Sequence, residues 1–175
     1  FRWALFACLG VMVLGTLKGI LVAIVLSLVG LMWLANDPRV YEIRRKPGTN
    51  VFRPHSPEHP EDEVPQGLLI ARPEGRIYFV NVGNVGGKLQ TLVKEHAPQV
   101  VLLDCSAMPG IEYTALKMLV EAEERLRGEG TELWLAALNP EVLELVQRTP
   151  LAERLGRERM FFTVEQAVAA FEARK

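Results

Sequence analysis

The sequence has little of what nucleic-acid binding, metal binding or disulfide bonding would require. Its 20 basic and 21 acidic residues give a net charge of −1, so there is no basic excess to attract a polyanion. The cysteines Cys8 and Cys105 are far apart and lack metal-ligand spacing, which predicts reduced structural thiols. His55 and His59 are four residues apart, but Pro57 excludes the helix that would turn both toward one metal. We therefore expect no nucleic-acid partner and no metal site.

Signatures of catalysis are also missing. No arrangement resembles a hydrolase triad or a paired-carboxylate site, and the glycines of residues 83–87 lack the spacing of a dinucleotide-binding loop. The sequence therefore predicts a protein that is not an enzyme and that uses no cofactor.

Two apolar blocks occupy the first 35 residues, from Trp3 to Leu17 and from Ile20 to Ala35. Each is shorter than the roughly 20 apolar residues that cross a bilayer. Two arrangements follow: a membrane-embedded hairpin of short or tilted helices that turns at Gly15–Gly19, or one long helix with Lys18 facing a protein interior. Two glycines in the turn disfavour a continuous helix, so the hairpin is the favoured prediction.

The flanking residues predict the context of this segment. The chain begins at Phe1 rather than at a methionine and enters the apolar run at once, so we expect it to be part of a longer chain. The predicted hairpin suits a multi-pass protein of the cell (inner) membrane. Basic residues cluster after the apolar run, and by the positive-inside rule they predict that the following domain is cytoplasmic. The lipid bilayer is therefore an expected partner, contacted also by this basic cluster: Arg39, Arg44, Arg45, Lys46 and Arg53.

Prolines set the predicted domain boundaries. Six of the 11 prolines lie between Asn36 and Gln66, where they oppose a helix or a central strand. We predict membrane helices over residues 1–35, an extended juxtamembrane connector over residues 36–66, and a folded domain over residues 67–175.

The folded domain reads as an α/β domain, a mixed β-sheet with helices in the order ββαβαβαβα. Leu68–Ala71 and Ile77–Val80 predict a β-hairpin around Pro73 and Gly75. The unbroken apolar run Val100–Leu103 predicts a central strand covered on both faces. Further predicted elements are helices at Gly87–His96 and Tyr113–Arg127, a parallel strand at Leu133–Ala137, a helix capped by Asn139, a strand at Met160–Phe162, and a last helix capped by Thr163.

Three stretches together resemble the closing part of SulP (sulfate permease) transporters with a cytoplasmic STAS domain. They are Leu14–Val22, Pro47–Thr49, and Leu103–Ala107 followed by Tyr113–Leu116. The resemblance implies a STAS-like fold, secondary transport of an inorganic anion such as sulfate or bicarbonate, and a homodimer. It also implies that the anion site lies in helices upstream of Phe1, so no substrate ligand is assigned here and Lys18 is interpreted as a turn or interfacial lysine.

The same resemblance implies a regulatory loop that meets a cytoplasmic regulatory protein. STAS domains of anti-sigma-factor antagonists are phosphorylated within an Asp-Ser-Ser-Gly-Leu pattern, and the matching stretch here begins at Glu112 and places Thr114 at the phosphoacceptor position. Asp104 and Ser106 lie in the loop leading to this helix and are predicted to hydrogen-bond its amides. The alternative is that Thr114 only caps its helix.

Two functions remain at this point. The first is an anion transporter whose visible part anchors and regulates it. The second is a membrane-tethered STAS signalling module, a phosphorylation-dependent partner switch that transports nothing.

Overall fold

The computed structural model describes residues 15–174 and divides the chain into two compact units, Phe1–Asp37 and Pro38–Lys175.

The described part of the first unit is a single helix, α1, over Thr16–Asn36. It begins after Gly15, whose φ of 80° and ψ of 159° are not helical, so the alternative of one continuous helix through residues 3–35 is wrong. Lys18 and Gly19 lie in the first turn of α1 and not in a hairpin turn. The other arm of the predicted hairpin lies outside the described residues. The 21 residues of α1 span about 31 Å, and Thr16–Trp33 is long and apolar enough to cross a membrane.

The second unit is built on one sheet. In the described residues it has six strands in the order β2-β1-β3-β4-β5-β6. The strands are β1 (Val40–Arg45), β2 (Phe52–Pro54), β3 (Leu68–Pro73), β4 (Val100–Asp104), β5 (Glu132–Ala136) and β6 (Met160–Phe161). β1 pairs antiparallel with β2 and β3, and β3 to β6 are parallel. The predicted α/β class and the parallel β4–β5 crossover are confirmed.

Helices cover both faces of this sheet. They are α2 (Val82–His96), α3 (Tyr113–Gly128), α4 (Pro140–Gln147), α5 (Pro150–Leu155) and α6 (Val164–Glu172). Alternation along β4 sends Val101 and Leu103 into the core beneath α2 to α5, and Val100 and Leu102 into the core beneath α6. The predicted caps are confirmed, because the side chains of Asn139 and Thr163 accept hydrogen bonds from the backbone N–H groups of Val142 and Gln166.

The predicted β-hairpin of Leu68–Ala71 and Ile77–Val80 is wrong. β3 does not pair with residues 77–80; its antiparallel partner is β1, with Val40 opposite Pro73, and its other edge is occupied by β4. With both edges of β3 filled, residues 77–80 have no strand position beside it, and Ile77 forms only an isolated bridge to Ile111.

The segment predicted as a connector, residues 36–66, is part of the folded domain. It contributes β1 and β2, and the compact unit begins at Pro38 rather than at Gly67. Ile43 of β1 is fully buried in the core beneath α6. Arg53 of β2 binds the buried carboxylate of Asp62 through two nitrogens, at 2.6 and 2.8 Å. These contacts fix the segment to the domain.

Candidate functional site

The predicted regulatory loop follows β4 at the edge where the parallel strands end, here called the carboxyl edge of the sheet. Loop residues 105–112 are held by the neighbouring connections. Asn139 Nδ2 donates to the carbonyls of Met108 and Pro109 at 3.1 and 2.9 Å, and the Gly75 N–H donates to the carbonyl of Ala107 at 3.0 Å. The loop is therefore a fixed part of the scaffold.

Asp104 is fully buried at the end of β4, and both of its carboxylate oxygens have partners. Oδ2 accepts from Arg72 Nε at 2.7 Å, and Oδ1 accepts from the backbone N–H of Ser106 at 2.9 Å. A buried carboxylate needs such partners because its desolvation is otherwise uncompensated. Asp104 therefore fixes the loop to β3, and the prediction that it hydrogen-bonds the amides of α3 is wrong.

Glu112 is the N-cap residue of α3, but its side chain makes no capping hydrogen bond. Its Oε2 instead accepts from the backbone N–H of Phe79 at 3.3 Å, and its own N–H donates to the Ile77 carbonyl at 2.9 Å. Glu112 thereby ties the β4–α3 loop to the β3–α2 connection.

The two hydroxyl residues of the predicted site, Ser106 and Thr114, are both exposed. Thr114 is the second residue of α3, not its N-cap, so the capping role is wrong. Its side chain forms no hydrogen bond with any residue in the described range 15–174. Thr114 therefore presents an unengaged hydroxyl at the positive end of a helix, where the first backbone N–H groups lack intrahelical partners.

Sequence reasoning missed three features of this edge. Arg72, the partner of Asp104, belongs to the turn of the predicted β-hairpin. An acid at the end of a predicted buried strand is nevertheless a signal that a cation lies nearby. Asn139 was recognised only as a cap, although it also holds the loop. The large side chains of Phe79 and Tyr113 are 67% and 73% exposed, whereas Phe79 had been placed in a strand.

Three other titratable groups are constrained by burial or by a structural partner. The hydrogen bond from Arg53 lowers the pKa of Asp62 below its usual value. Burial raises the pKa of the Cys105 thiol far above its usual value, because a thiolate would be desolvated there. Buried Glu123 accepts from Arg154 Nη1 at 3.2 Å, which ties α3 to α5. Within residues 15–174 no group of three or more His, Cys, Asp or Glu side chains is arranged to hold a metal.

Comparison with protein families places this architecture among known domains. A profile described as STAS domain matches residues 59–167. High affinity sulfate transporter 2 of Stylosanthes hamata is 28% identical over 87% of this chain and 24% of its own length. Sulfate transporter 1.1 of Arabidopsis thaliana is 27% identical over 93% of this chain and 26% of its own length. The chain thus spans about a quarter of the curated relatives that it matches.

Solved structures share the fold. The murine solute carrier 26 family member A9 anion transporter superposes with a TM-score of 0.80 at 15% identity, over 98% of this chain and 28% of its own. A sulfate transporter family protein from Wolinella succinogenes gives a TM-score of 0.57 at 28% identity, over 68% of this chain and 97% of its own. An unphosphorylated anti-sigma factor antagonist gives 0.52 at 15% identity, over 63% of this chain and 93% of its own.

Proposed function

The chain belongs to the STAS domain family, and we propose that it is the C-terminal part of a SulP-type secondary transporter of inorganic anions such as sulfate or bicarbonate. In this proposal α1 is the last membrane helix, and the STAS domain regulates or assembles the transporter in the cytoplasm. The anion site lies in membrane helices that precede this chain in sequence.

The observation that carries this proposal is how far along the chain the relatives match. The anti-sigma factor antagonist covers 63% of the chain. The Arabidopsis sulfate transporter matches 93% of it, so its match must extend beyond the unit Pro38–Lys175 into the apolar segment. Similarity to a sulfate transporter therefore extends beyond the compact domain into the apolar segment, and this extension favours transport over a free-standing signalling protein.

Orientation in the membrane rests on the basic cluster after α1. Three of its members are engaged by carboxylates of the domain: Arg44 by Glu42 at 2.7 Å, Arg45 by Glu172 at 3.2 Å, and Arg53 by Asp62. The positive-inside bias still supports a cytoplasmic domain, because it acts before the domain has folded. Arg39 forms no salt bridge among the described residues, donates to the Tyr41 hydroxyl at 3.0 Å, and lies three residues after the end of α1, so we assign the contact with anionic headgroups to Arg39.

Regulation is proposed at Thr114, with Glu112, Ser106 and Asp104 forming its surroundings. A phosphate on Thr114 would add negative charge at the N-terminus of α3, where free N–H groups and the helix dipole stabilise it. A cytoplasmic regulatory protein would then read this charge at the N-terminus of α3.

Anion uptake by the full-length protein tests both levels of the proposal. Parent protein should accumulate labelled sulfate or bicarbonate in cells that lack their own carrier, Thr114→Glu should alter the uptake rate, and Thr114→Ala should abolish any response to phosphorylation. Thr49→Glu is the matched control, because Thr49 is an exposed hydroxyl residue in the turn between β1 and β2. Absence of uptake by the parent would refute transport, whereas unchanged uptake by Thr114→Glu with no phosphate on Thr114 would refute only the regulatory site.

The second candidate function is the membrane-tethered STAS signalling module. It is favoured by one observation, the unengaged hydroxyl of Thr114 at a helix N-terminus. The reading frame upstream of Phe1 separates the two functions: about ten further apolar spans would indicate a transporter, and a start codon immediately upstream would indicate a tethered module.

A further inference from the structure

Large aromatic side chains are exposed along the carboxyl edge of the sheet. Phe79 lies in the connection after β3, Tyr113 begins the helix after β4, and Phe162 directly follows β6. Their exposures are 67%, 73% and 87%. Since β3, β4 and β6 run parallel, all three connections leave the same edge, and these three residues are here called the aromatic rim.

The aromatic rim is held in place by the scaffold. The backbone N–H of Phe79 is bound to Glu112, the residue before Tyr113, at 3.3 Å. On the other side, the Ala137 N–H donates to the carbonyl of Phe161 at 3.0 Å, and the Phe161 ring packs 5.0 Å from that of Trp134. Neighbouring side chains are thus anchored in the core while the rim itself points away from it. Large apolar side chains exposed together along one edge favour an interaction surface, whereas singly scattered ones do not.

The second unit also begins at this edge. Because β1 is antiparallel to β3, its first residue, Val40, lies opposite Pro73, the last residue of β3. The carbonyl of Arg39 accepts from the Glu74 N–H at 2.9 Å, and the carbonyl of Pro38 accepts from Lys88 Nζ at 2.8 Å. These bonds fix the start of the domain to the carboxyl edge.

Covalent connection limits the distance from this edge to the membrane. α1 ends at Asn36 and Pro38 is two residues later, a separation that an extended chain spans in about 7 Å. A membrane crossed by α1 is consequently close to the start of the domain. Phe and Tyr rings gain free energy at the boundary between headgroups and acyl chains, where the ring is buried and the Tyr hydroxyl remains hydrated.

We propose that the aromatic rim, Phe79, Tyr113 and Phe162, contacts the lipid bilayer at the headgroup level and so docks the STAS domain on the membrane surface. The edge carries exposed acids, Glu74 and Glu112, as well as exposed bases, Arg39 and Arg76. The contact therefore depends on apolar burial rather than on net charge, and it should persist at high salt. This proposal goes beyond the transport function and does not depend on which anion is carried.

Lipid-quenching fluorescence on the full chain tests this contact. In a Cys8→Ser background, Phe79→Cys, Tyr113→Cys and Phe162→Cys are each labelled with an environment-sensitive fluorophore in phosphatidylcholine vesicles. The native Cys105 is buried and its thiol stays protonated, so it does not compete for the label. The control is Val51→Cys, because Val51 is also an exposed apolar residue, at 54%, but lies in the hairpin between β1 and β2 at the opposite edge.

Brominated phosphatidylcholine should quench the emission at all three rim positions and leave the emission at position 51 unchanged, with the same result at high salt. Rim positions that aqueous iodide quenches and brominated lipid does not would overturn the proposal. Rim positions protected from both quenchers would also overturn it, because they would be covered by protein rather than by lipid. Every substituted side chain is exposed, so the variants should keep the parent's cooperative unfolding, which is measured alongside.

Discussion

Removal of residues 38–66 should prevent the STAS domain from folding. The deletion leaves 67–175, the domain boundary that the prolines alone predict, and it removes β1 and β2. β3 would then lose its antiparallel partner and expose an unpaired edge in the middle of the sheet, since β1 separates β3 from β2. The core beneath α6 would lose Ile43, which is fully buried, and the packing of Tyr41, Phe52 and Val64.

Ile43 alone sets a lower limit on how far the deletion destabilises the domain. Truncation of a fully buried isoleucine to alanine costs about 2–5 kcal/mol, against a total stability of about 5–15 kcal/mol for a typical domain. Loss of three further half-buried side chains and of the β1–β3 hydrogen bonds adds to this cost. The destabilisation caused by the whole deletion should therefore exceed the free energy of unfolding of the domain.

The assay compares two soluble fragments and two point variants by urea and thermal denaturation followed by circular dichroism. Pro38–Lys175 should unfold in one cooperative transition, and 67–175 should be insoluble or lack such a transition. In the longer fragment, Ile43→Ala should lower the free energy of unfolding by about 2–5 kcal/mol. Exposed Val51→Ala in the same hairpin should change it by less than about 0.5 kcal/mol. A soluble 67–175 fragment with a cooperative transition near that of Pro38–Lys175 would refute the assignment of β1 and β2 to the domain.

Three further predictions concern single side chains of the fragment Pro38–Lys175. Folding lowers the pKa of Asp62, so the stability that its carboxylate contributes is present above the unfolded-state pKa and is lost as pH falls through the folded-state pKa. The difference in free energy of unfolding between the parent and Asp62→Asn should therefore shrink as the buffer is acidified. A constant difference would contradict this assignment. Asn139→Ala should lower the free energy of unfolding by about 1 kcal/mol or more, because Asn139 caps α4 and holds the loop. Thr114→Ala should change the free energy of unfolding by less than about 0.5 kcal/mol. Equal losses for the two variants would contradict both assignments. Asp104→Ala should lower the free energy of unfolding in urea by about 1–3 kcal/mol, because the Arg72 guanidinium would lose its only carboxylate partner among the described residues. An unchanged free energy of unfolding would show that water replaces the carboxylate.

Local signals predicted the second half of the domain well. Val100–Leu103 is an unbroken apolar run, and the helix that follows it has an apolar face of regular period, so their type and parallel pairing could be read directly. The caps at Asn139 and Thr163 depend only on residues within one helical turn, and both are confirmed. The helix capped by Asn139 ends at Gln147, and α5, which begins at Pro150, was not predicted.

The first half depended on long-range pairing, which a local pattern does not contain. The prolines of residues 36–66 were interpreted as opposing strands throughout the segment. In the structure Pro38 and Pro47 flank β1, and Pro54 is the last residue of β2. Strand ends and edge strands are where a missing N–H donor is tolerated. The count of prolines was therefore less informative than their spacing, which left Val40–Arg45 free to pair with β3.

The four residues of the predicted site lie in and beside one loop in the structure, but their contacts differ from those that the sequence predicts. Helix boundaries vary by a residue or two in sequence-based reasoning, and the α3 N-cap lies at Glu112 rather than at Thr114. The partner of Asp104 could not be identified, because Arg72 reaches it across the β3–β4 pairing from 32 positions away in the chain. Whether an acid of this loop is free to bind a partner depends on its burial and on ion pairs with residues distant in the chain. Neither can be predicted from the local sequence.

A short segment connects the candidate site to the residues where the domain begins. Glu74 donates its N–H to the carbonyl of Arg39, the next N–H, of Gly75, goes to the loop carbonyl of Ala107, and Ile77 accepts from Glu112. Residues 74–77 thus bond to the start of β1 on one side and to the regulatory loop on the other. A change in charge at the N-terminus of α3 that shifts Glu112 would act on this segment before it reached any core side chain. Regulation through Thr114 would therefore have a direct route to the residues that follow α1, which a site on the amino edge of the sheet would lack.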